Sequence, residues 1–322
     1  VPITEEPLHR LIDEALERHA SQTVRDDHGV TSFEELGRLA REIAGLLKPG
    51  LVVGVLAETG ADFMAAHLGT IYAGATVMPL DSSQPPSRIQ GLLERGEVDM
   101  LLHDHRAPRV VGIMKRIRLP RRFARIRDTD RAPGAGHEGG AQLLATSGST
   151  GEPKLIRNDA RFLKQSVARH AAVIGCGPDD RIAAMNSPDV SGTGRDILLS
   201  VLTGAGLSWR RLALHGPKGA MEWLRDEEVT VLCTVASIAR TVFEAGAPDT
   251  RLPRLKSLKI TGEPMYSSDF DDFVGFTEPH ARLHVGLTST EVMVATENIL
   301  RHGDRPERLL SIGWGVPPLR VG

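Results

Sequence analysis

Phe33, Leu36, Leu39, Ile43 and Leu46 recur at steps of three and four residues, with charged residues among them. Such spacing lines up one apolar face of a helix, and Ser32 followed by Glu35 supplies a capping-box start. Residues 51–57 form a short unbroken apolar run, as a buried strand requires. A helical stretch over 61–72, closed by Gly74, and a strand over 75–80 come next. Pro85 and Pro86 open another helix, which leads to a strand over 98–103. Past residue 140 the alternation resumes, with helices predicted over 160–174, 195–202 and 220–227 and strands over 181–185, 230–233 and 258–260. Strand–helix–strand succession of this kind builds a mostly parallel sheet with helices on its faces. The chain therefore reads as α/β, with a boundary expected near 135–145 between halves 1–140 and 141–322.

Residues 104–140 break the rhythm. Arg106, Arg109, Lys115, Arg116, Arg118, Arg121, Arg122, Arg125, Arg127 and Arg131 make the segment basic, and Gly134, Gly136, Gly139 and Gly140 loosen its end. Phe123 is its one aromatic residue, too few for stacking bases, so the segment reads as a solvated charged face or subdomain edge. A net charge of −2 over 322 residues gives no reason to expect nucleic acid or an anionic membrane as partner. Cys176 and Cys233 make no metal-ligand spacing and no disulfide framework, which fits a cytoplasmic, reducing location. No apolar stretch approaches membrane-spanning length. The start at Val1 and the end in P-P-L-R-V-G read as cuts from a longer chain.

The most informative stretch is L-L-A-T-S-G-S-T-G-E-P-K, residues 143–154. An apolar strand breaks into the hydroxyls of Thr146, Ser147, Ser149 and Thr150, the glycines Gly148 and Gly151, and the ammonium of Lys154. Glycine lets backbone approach a ligand closely, and amides, hydroxyls and one cation in a small volume suit a polyphosphate. A Ser/Gly-rich surface turn is the plainer alternative. The run is not a G-x-x-x-x-G-K-[ST] loop, because Lys154 follows a proline and Leu155 stands where the hydroxyl should be.

This stretch resembles the phosphate loop of the adenylate-forming superfamily: acyl-CoA synthetases, luciferases and the adenylation domains of nonribosomal peptide synthetases. V-T-S-F-E-E-L at 30–36 is similar to that family's L-T-Y-x-E-L, and G-T-I-Y-A-G-A-T-V-M-P-L-D at 69–81 to its K-A-G-A-x-Y-V-P-L-D. T-G-E-P at 261–264 resembles the segment beside adenine, G-L-T-S-T-E at 286–291 resembles Y-G-x-T-E, and residues 312–321 resemble I-G-x-P-x-P-x-x-x-V. The resemblance implies ATP and Mg²⁺ as cofactors. Thr146, Ser147, Gly148, Ser149, Thr150, Gly151 and Lys154 would hold the β,γ-phosphates. Gly262, Glu263, Pro264, Gly286, Leu287 and Thr288 would border the nucleotide, Thr290 would contact the α-phosphate and Glu291 the magnesium ion. Leu287 stands where the family has Tyr. The implied fold is the large N-terminal core, with two helix-flanked mostly parallel sheets and a smaller β subdomain region. The family's Y-R-T-G-D motif and small mobile C-terminal domain, with its catalytic Lys, are absent from these residues.

For the acyl pocket, two registers relate residues 187–198 to the F-D-x-S-V segment of peptide synthetases. Matching by letters puts Asp189 at the clamp for an α-amino group. The ungapped register puts Ser191 there, followed by Gly192, with Arg195 one turn along the same helix; it keeps the following helix at full length and is preferred. The same alignment brings Cys233, Lys259, Thr261, Gly286, Val294 and Ala295 around the pocket. Arg195 and Lys259 together suggest an acid with a second anionic or strongly hydrogen-bonding group, unless they point to solvent. The expected function is ATP-dependent adenylation of a small carboxylic acid, then transfer to the phosphopantetheine thiol of a carrier protein. An acyl- or aryl-CoA synthetase and a non-catalytic nucleotide-binding module are the alternatives. His280 and His284 lack the H-E-x-x-H pattern, and in a strand they would lie roughly 13 Å apart. With His170, His215 and His302 they read as surface or core histidines without a shared ligand.

Overall fold

The structure, a computed structural model, describes residues 6–104, the backbone of 115–118, and residues 141–146, 153–247 and 249–315. Ser147, Gly148, Ser149, Thr150, Gly151 and most of the basic segment lie outside the described residues. Along the chain run α1 (Leu8–Arg18), β1 (Thr23–Asp26), β2 (Gly29–Ser32), α2 (Phe33–Ala44), β3 (Val52–Leu56), α3 (Ala61–Tyr72), β4 (Thr76–Pro79), α4 (Pro86–Arg95), β5 (Met100–His103) and β6 (Lys115–Arg118). Then come β7 (Ala141–Thr146), β8 (Lys154–Asn158), α5 (Ala160–Ile174), β9 (Arg181–Ala184), α6 (Ser191–Thr203), β10 (Gly206–Trp209), α7 (Leu212–His215) and α8 (Ala220–Asp226). The last elements are β11 (Val231–Thr234), α9 (Ala236–Glu244), β12 (Ser257–Thr261), α10 (Ser267–Phe276), β13 (Arg282–Gly286), β14 (Thr288–Ser289), β15 (Met293–Val294), β16 (Thr296–Arg301) and β17 (Trp314–Gly315).

A six-stranded sheet has the order β6-β5-β3-β4-β7-β8, parallel except where β8 turns back on β7. A nine-stranded sheet has the order β17-β16-β13-β12-β11-β9-β10-β1-β2, with a parallel centre and antiparallel edges. β14 and β15 form a separate two-stranded ladder. Membership of the sheets does not divide at residue 140: β1 and β2 join the nine-stranded sheet, and β7 and β8 finish the six-stranded one. β6, inside the basic segment, is the last strand at its end of that sheet among the described residues.

Strand alternation builds the layers. Val53 and Val55 of β3 face a central layer with α1, α2, α3, α5 and α6, whereas Leu56, Met78 and Leu101 pack on α4. Ile182 and Ala184 of β9 face that same central layer, and Ala183 and Met185 face α8, α9 and α10 on the other side. Helix α3 is buried all round, so it lacks a polar stripe. It approaches α2 through Gly69, where a Cβ would stand 2.6 Å from the Ala40 carbonyl oxygen. As expected, Ser32 Oγ accepts a hydrogen bond from the Glu35 amide at the start of α2. Helix α6 begins at Ser191, four residues ahead of the predicted 195. Its first turn, S-G-T-G, has no apolar period to read, but Thr193 Oγ1 anchors it on the Ser187 carbonyl at 2.6 Å.

Candidate functional site

Antiparallel register carries β7 and β8 to a last rung formed by Thr146 and Lys154. Thr146 Oγ1 donates to the Lys154 carbonyl oxygen at 3.5 Å, so the two ends of the hydroxyl-rich loop stand side by side. At the other end of β8, buried Asn158 donates through Nδ2 to the Thr290 carbonyl at 3.2 Å. Thr290 and Glu291 occupy the turn between β14 and β15, where Ser289 pairs with Met293. Met293 is buried with a φ of +54°, a left-handed conformation that a side chain adopts only at a cost of about 1–3 kcal/mol. Glu291 is exposed. A hydrogen bond from Ser289, one from its own amide and the charge of Lys154 hold its carboxyl below the ordinary value. The charge of Lys154 thus reaches Glu291, although neither residue lines the cleft beside them.

Beside this turn opens a cleft of about 610 Å³ at the carboxyl ends of parallel strands, the usual ligand position in open α/β sheets. Of the residues singled out by sequence, Thr146, Asp189, Ser191, Gly192, Arg195, Thr261, Gly262, Thr288 and Thr290 line it. Asn186, Ser187, Thr234, Val235, Ile238 and Met293 line it as well and were not read from the sequence. Gly262 follows β12 with a φ of +85°, which glycine adopts without strain. Asp189 Oδ1 lies 2.6 Å from Ser187 Oγ, and Ser191 opens α6. Both candidate clamp residues, Asp189 and Ser191, line the cleft.

Several expected residues stand elsewhere. Cys233, Lys259 and His284 lie side by side across β11, β12 and β13, fixed in one row by the parallel register. All three are buried beneath the cleft rather than lining it. Lys259 Nζ donates to the Glu297 carboxylate, which also accepts from His284 Nδ1 at 2.9 Å. Burial acts to raise the Glu297 carboxyl, but the His284 bond and the Lys259 charge hold it below the ordinary value. Cys233 Sγ lies 3.4 Å from His170 Nε2, and burial pushes its thiol up to about 12. Gly286 is sealed under the Thr296 backbone, and Val294 is buried with its carbonyl accepting from Arg169. Ala295 is the single residue linking β15 to β16, outside the lining. Glu263 is drawn to the start of α9, accepting from the Ser237 amide at 2.6 Å and its hydroxyl at 2.9 Å. Pro264 is exposed, its carbonyl bonded to Arg240. Leu287 is 49% exposed beside the cleft.

The histidines have partners that sequence spacing could not reveal. His170 meets Cys233, His215 Nε2 meets Asp27 at 2.8 Å, and His302 Nε2 meets Thr277 Oγ1 at 2.9 Å. Donor atoms of His170, Asp196 and Cys233 lie within 4.8 Å of one another. The charges of Arg195 and Lys259 bear on the same spot and oppose a metal cation there. On the cleft's rim, Asp81 accepts from Ser187 Oγ at 2.6 Å, Arg211 Nη2 at 2.7 Å and the Ser83 amide at 2.8 Å. Burial acts to raise this carboxyl, yet those hydrogen bonds and the Arg211 charge keep it below its ordinary value. Asp81 thus ties the cleft-lining loop to β4.

Two helix-flanked, largely parallel sheets with a cleft at their strand ends match the fold of the large N-terminal core in solved adenylation-domain structures. The profile of the AMP-binding enzyme family matches residues 12–321, and the chain belongs to that family. Syringomycin synthase SyrB1 from Pseudomonas syringae pv. syringae is 23% identical over 335 residues, spanning 95% of this chain and 52% of SyrB1. The AMPPNP-bound form of the nonribosomal peptide synthetase FmoA3 superposes with a TM-score of 0.87 at 20% identity, covering 98% of this chain and 35% of that one. The N-terminal subdomain of Klebsiella oxytoca NpsA, in complex with 3-hydroxybenzoyl-AMSN, superposes with a TM-score of 0.79 at 19% identity. It covers 96% of this chain and 80% of NpsA's. The chain spans about half of SyrB1 and about a third of FmoA3. Among the described residues no helix is long and apolar enough to cross a membrane.

Proposed function

We propose that this chain forms the ATP-binding core that converts a carboxylic acid into its acyl-adenylate, for transfer to a carrier-protein phosphopantetheine thiol. The observation that supports this reading is that the Thr146–Lys154 rung and the Thr290–Glu291 turn stand at the two ends of β8, with Thr146 and Thr290 lining one cleft.

A carboxylate is a poor electrophile because its leaving group would be oxide. Its oxygen attacks the α-phosphorus of ATP, the bond from that phosphorus to the bridging oxygen breaks, and pyrophosphate departs. Charge gathers on phosphoryl oxygens, so the protein's contribution is placement and electrostatic stabilisation. Thr146, Lys154 and the hydroxyl-rich loop between them receive the leaving phosphates. Thr290 steadies the α-phosphate. Glu291, an exposed carboxylate held ionised beside a hydroxyl, suits a hard cation. Magnesium bound there would offset the polyphosphate charge. The carrier's thiolate then attacks the acyl carbon, and AMP leaves.

Calorimetric titration with ATP, with and without Mg²⁺, tests the nucleotide site directly. Pyrophosphate exchange over amino, hydroxy, keto, aryl and dicarboxylic acids then tests the reaction, and holo carrier protein against free CoA identifies the acceptor. Saturable ATP binding that Mg²⁺ strengthens is expected. Absence of ATP binding under every condition would overturn the reading.

A further inference from the structure

We propose that Arg195 is a specificity-determining residue of the cleft, and that the acid it selects ends in a planar oxygen acceptor, a carboxylate or carboxamide, at the far end of its side chain. This rests on the adenylation reading above.

Arg195 sits in the first turns of α6, is 6% exposed and lines the cleft. Its Nε and Nη2 donate to a single oxygen, Asp196 Oδ1, at 3.2 Å and 3.0 Å. A guanidinium carries five N–H donors, and those of Nη1 have no partner among the described residues. Donors that line the cleft without a protein partner are left to a ligand that accepts. Gly192 supplies the opening: a Cβ there would stand 3.5 Å from both Arg195 Nη2 and Asn186 Nδ2. Asn186 is itself held rigid, donating to the Cys233 carbonyl at 2.9 Å and accepting from Thr234 Oγ1 at 3.2 Å. Two fixed nitrogen donors therefore converge under a residue with no side chain to cover them.

Charge bookkeeping narrows the class. Lys259, the other cation expected at the pocket, is consumed by Glu297 below the floor. Asp196 balances Arg195 in the same way. The floor is neutral overall, so what it lacks is an acceptor oxygen rather than a counter-charge. A carboxylate and a carboxamide both supply one, and a hydrocarbon does not. Val235, Ile238 and Met293 along the walls suit the aliphatic stem between the reacting carboxyl and that oxygen.

The test uses non-hydrolysable acyl-sulfamoyladenosines, matched in chain length and ending in carboxylate, carboxamide or methyl, titrated into this chain. Oxygen-ended mimics are expected to bind about ten- to a hundredfold more tightly than the methyl-ended one, as hydrogen bonds to a charged donor imply. Arg195→Met paired with Asp196→Asn, so that no carboxylate is left buried alone, should erase that preference. Gly192→Val should erase it by covering the donors without altering any charge, its fold checked by thermal melting. Equal binding of the three mimics, or a preference that survives both variants, would overturn the proposal while leaving nucleotide binding intact. Failure of unacylated sulfamoyladenosine and of ATP to bind would instead overturn the adenylation reading, and this proposal with it.

Discussion

Asn158 and Thr290, 132 positions apart, are joined by one hydrogen bond of 3.2 Å from the Asn158 side-chain amide to the Thr290 carbonyl. That bond fastens the turn carrying Glu291 to the strand whose other end is Lys154. Asn158→Leu keeps the volume and removes the donor, leaving the half-buried Thr290 carbonyl without this partner. Stability should fall by about 1–3 kcal/mol, and ATP affinity by roughly tenfold. Thermal melting and ATP titration check both. A loss of stability with unchanged ATP affinity would reduce the bond to a structural one.

Glu291 is exposed, so its replacement tests chemistry without disturbing the core. Glu291→Gln should leave melting unchanged and remove most of the gain in ATP affinity that Mg²⁺ produces. Lys154→Met should weaken ATP with or without the ion, since in the proposed reading the ammonium is a phosphate partner rather than a metal one. The two patterns separate metal placement from phosphate contact. Equal Mg²⁺ dependence in wild type and Glu291→Gln would remove this glutamate from the metal site.

The elements most legible in the sequence are those whose burial follows their own period, such as α2 with its single stripe and β3 with its unbroken run. α6 was legible only from its apolar middle, because its first turn is fixed by the Thr193 bond to Ser187 rather than by any pattern. Half of the cleft was legible as letters: Thr146, Thr261 and Thr290 lie in short motifs. The floor was not. Lys259 meets Glu297 across 38 positions, and Asp81 meets Ser187 across 106. Strand register creates these pairs, and register between parallel strands is set by tertiary packing. Whether a cation such as Arg195 faces ligand or partner therefore depends on contacts that local spacing does not encode.

His67 gives stability a pH dependence of known sign. It is 1% exposed in α3, neither ring nitrogen has a hydrogen-bond partner among the described residues, and burial pushes it down from 6.5 to about 4. The folded value lies below the unfolded one, so this contribution is complete above pH 6.5 and is lost as pH falls towards 4. The shift corresponds to about 3 kcal/mol. His170, also buried, acts in the same direction, whereas Asp196, pushed up to about 6 by burial, acts in the opposite one. The difference between wild type and His67→Leu isolates the single residue. The variant should gain stability over wild type as pH falls from 7 to 4.5, by thermal melting. A pH-independent difference would mean that His67 takes up no proton on unfolding.

Lys259 and Arg195, both expected at the pocket, should separate under substitution. Lys259→Met leaves the Glu297 carboxylate buried without its cation, and breaking such a pair costs about 3–5 kcal/mol. Adding Glu297→Gln removes the stranded charge and should restore most of that loss, although His284 then keeps only a neutral acceptor. In the double variant the preference for oxygen-ended acyl-sulfamoyladenosines should persist, because neither residue lines the cleft. Melting curves and the same titrations decide the matter. If the double variant regains stability but loses the preference, Lys259 reaches the ligand after all, and the floor is not the closed layer that its row of paired side chains describes.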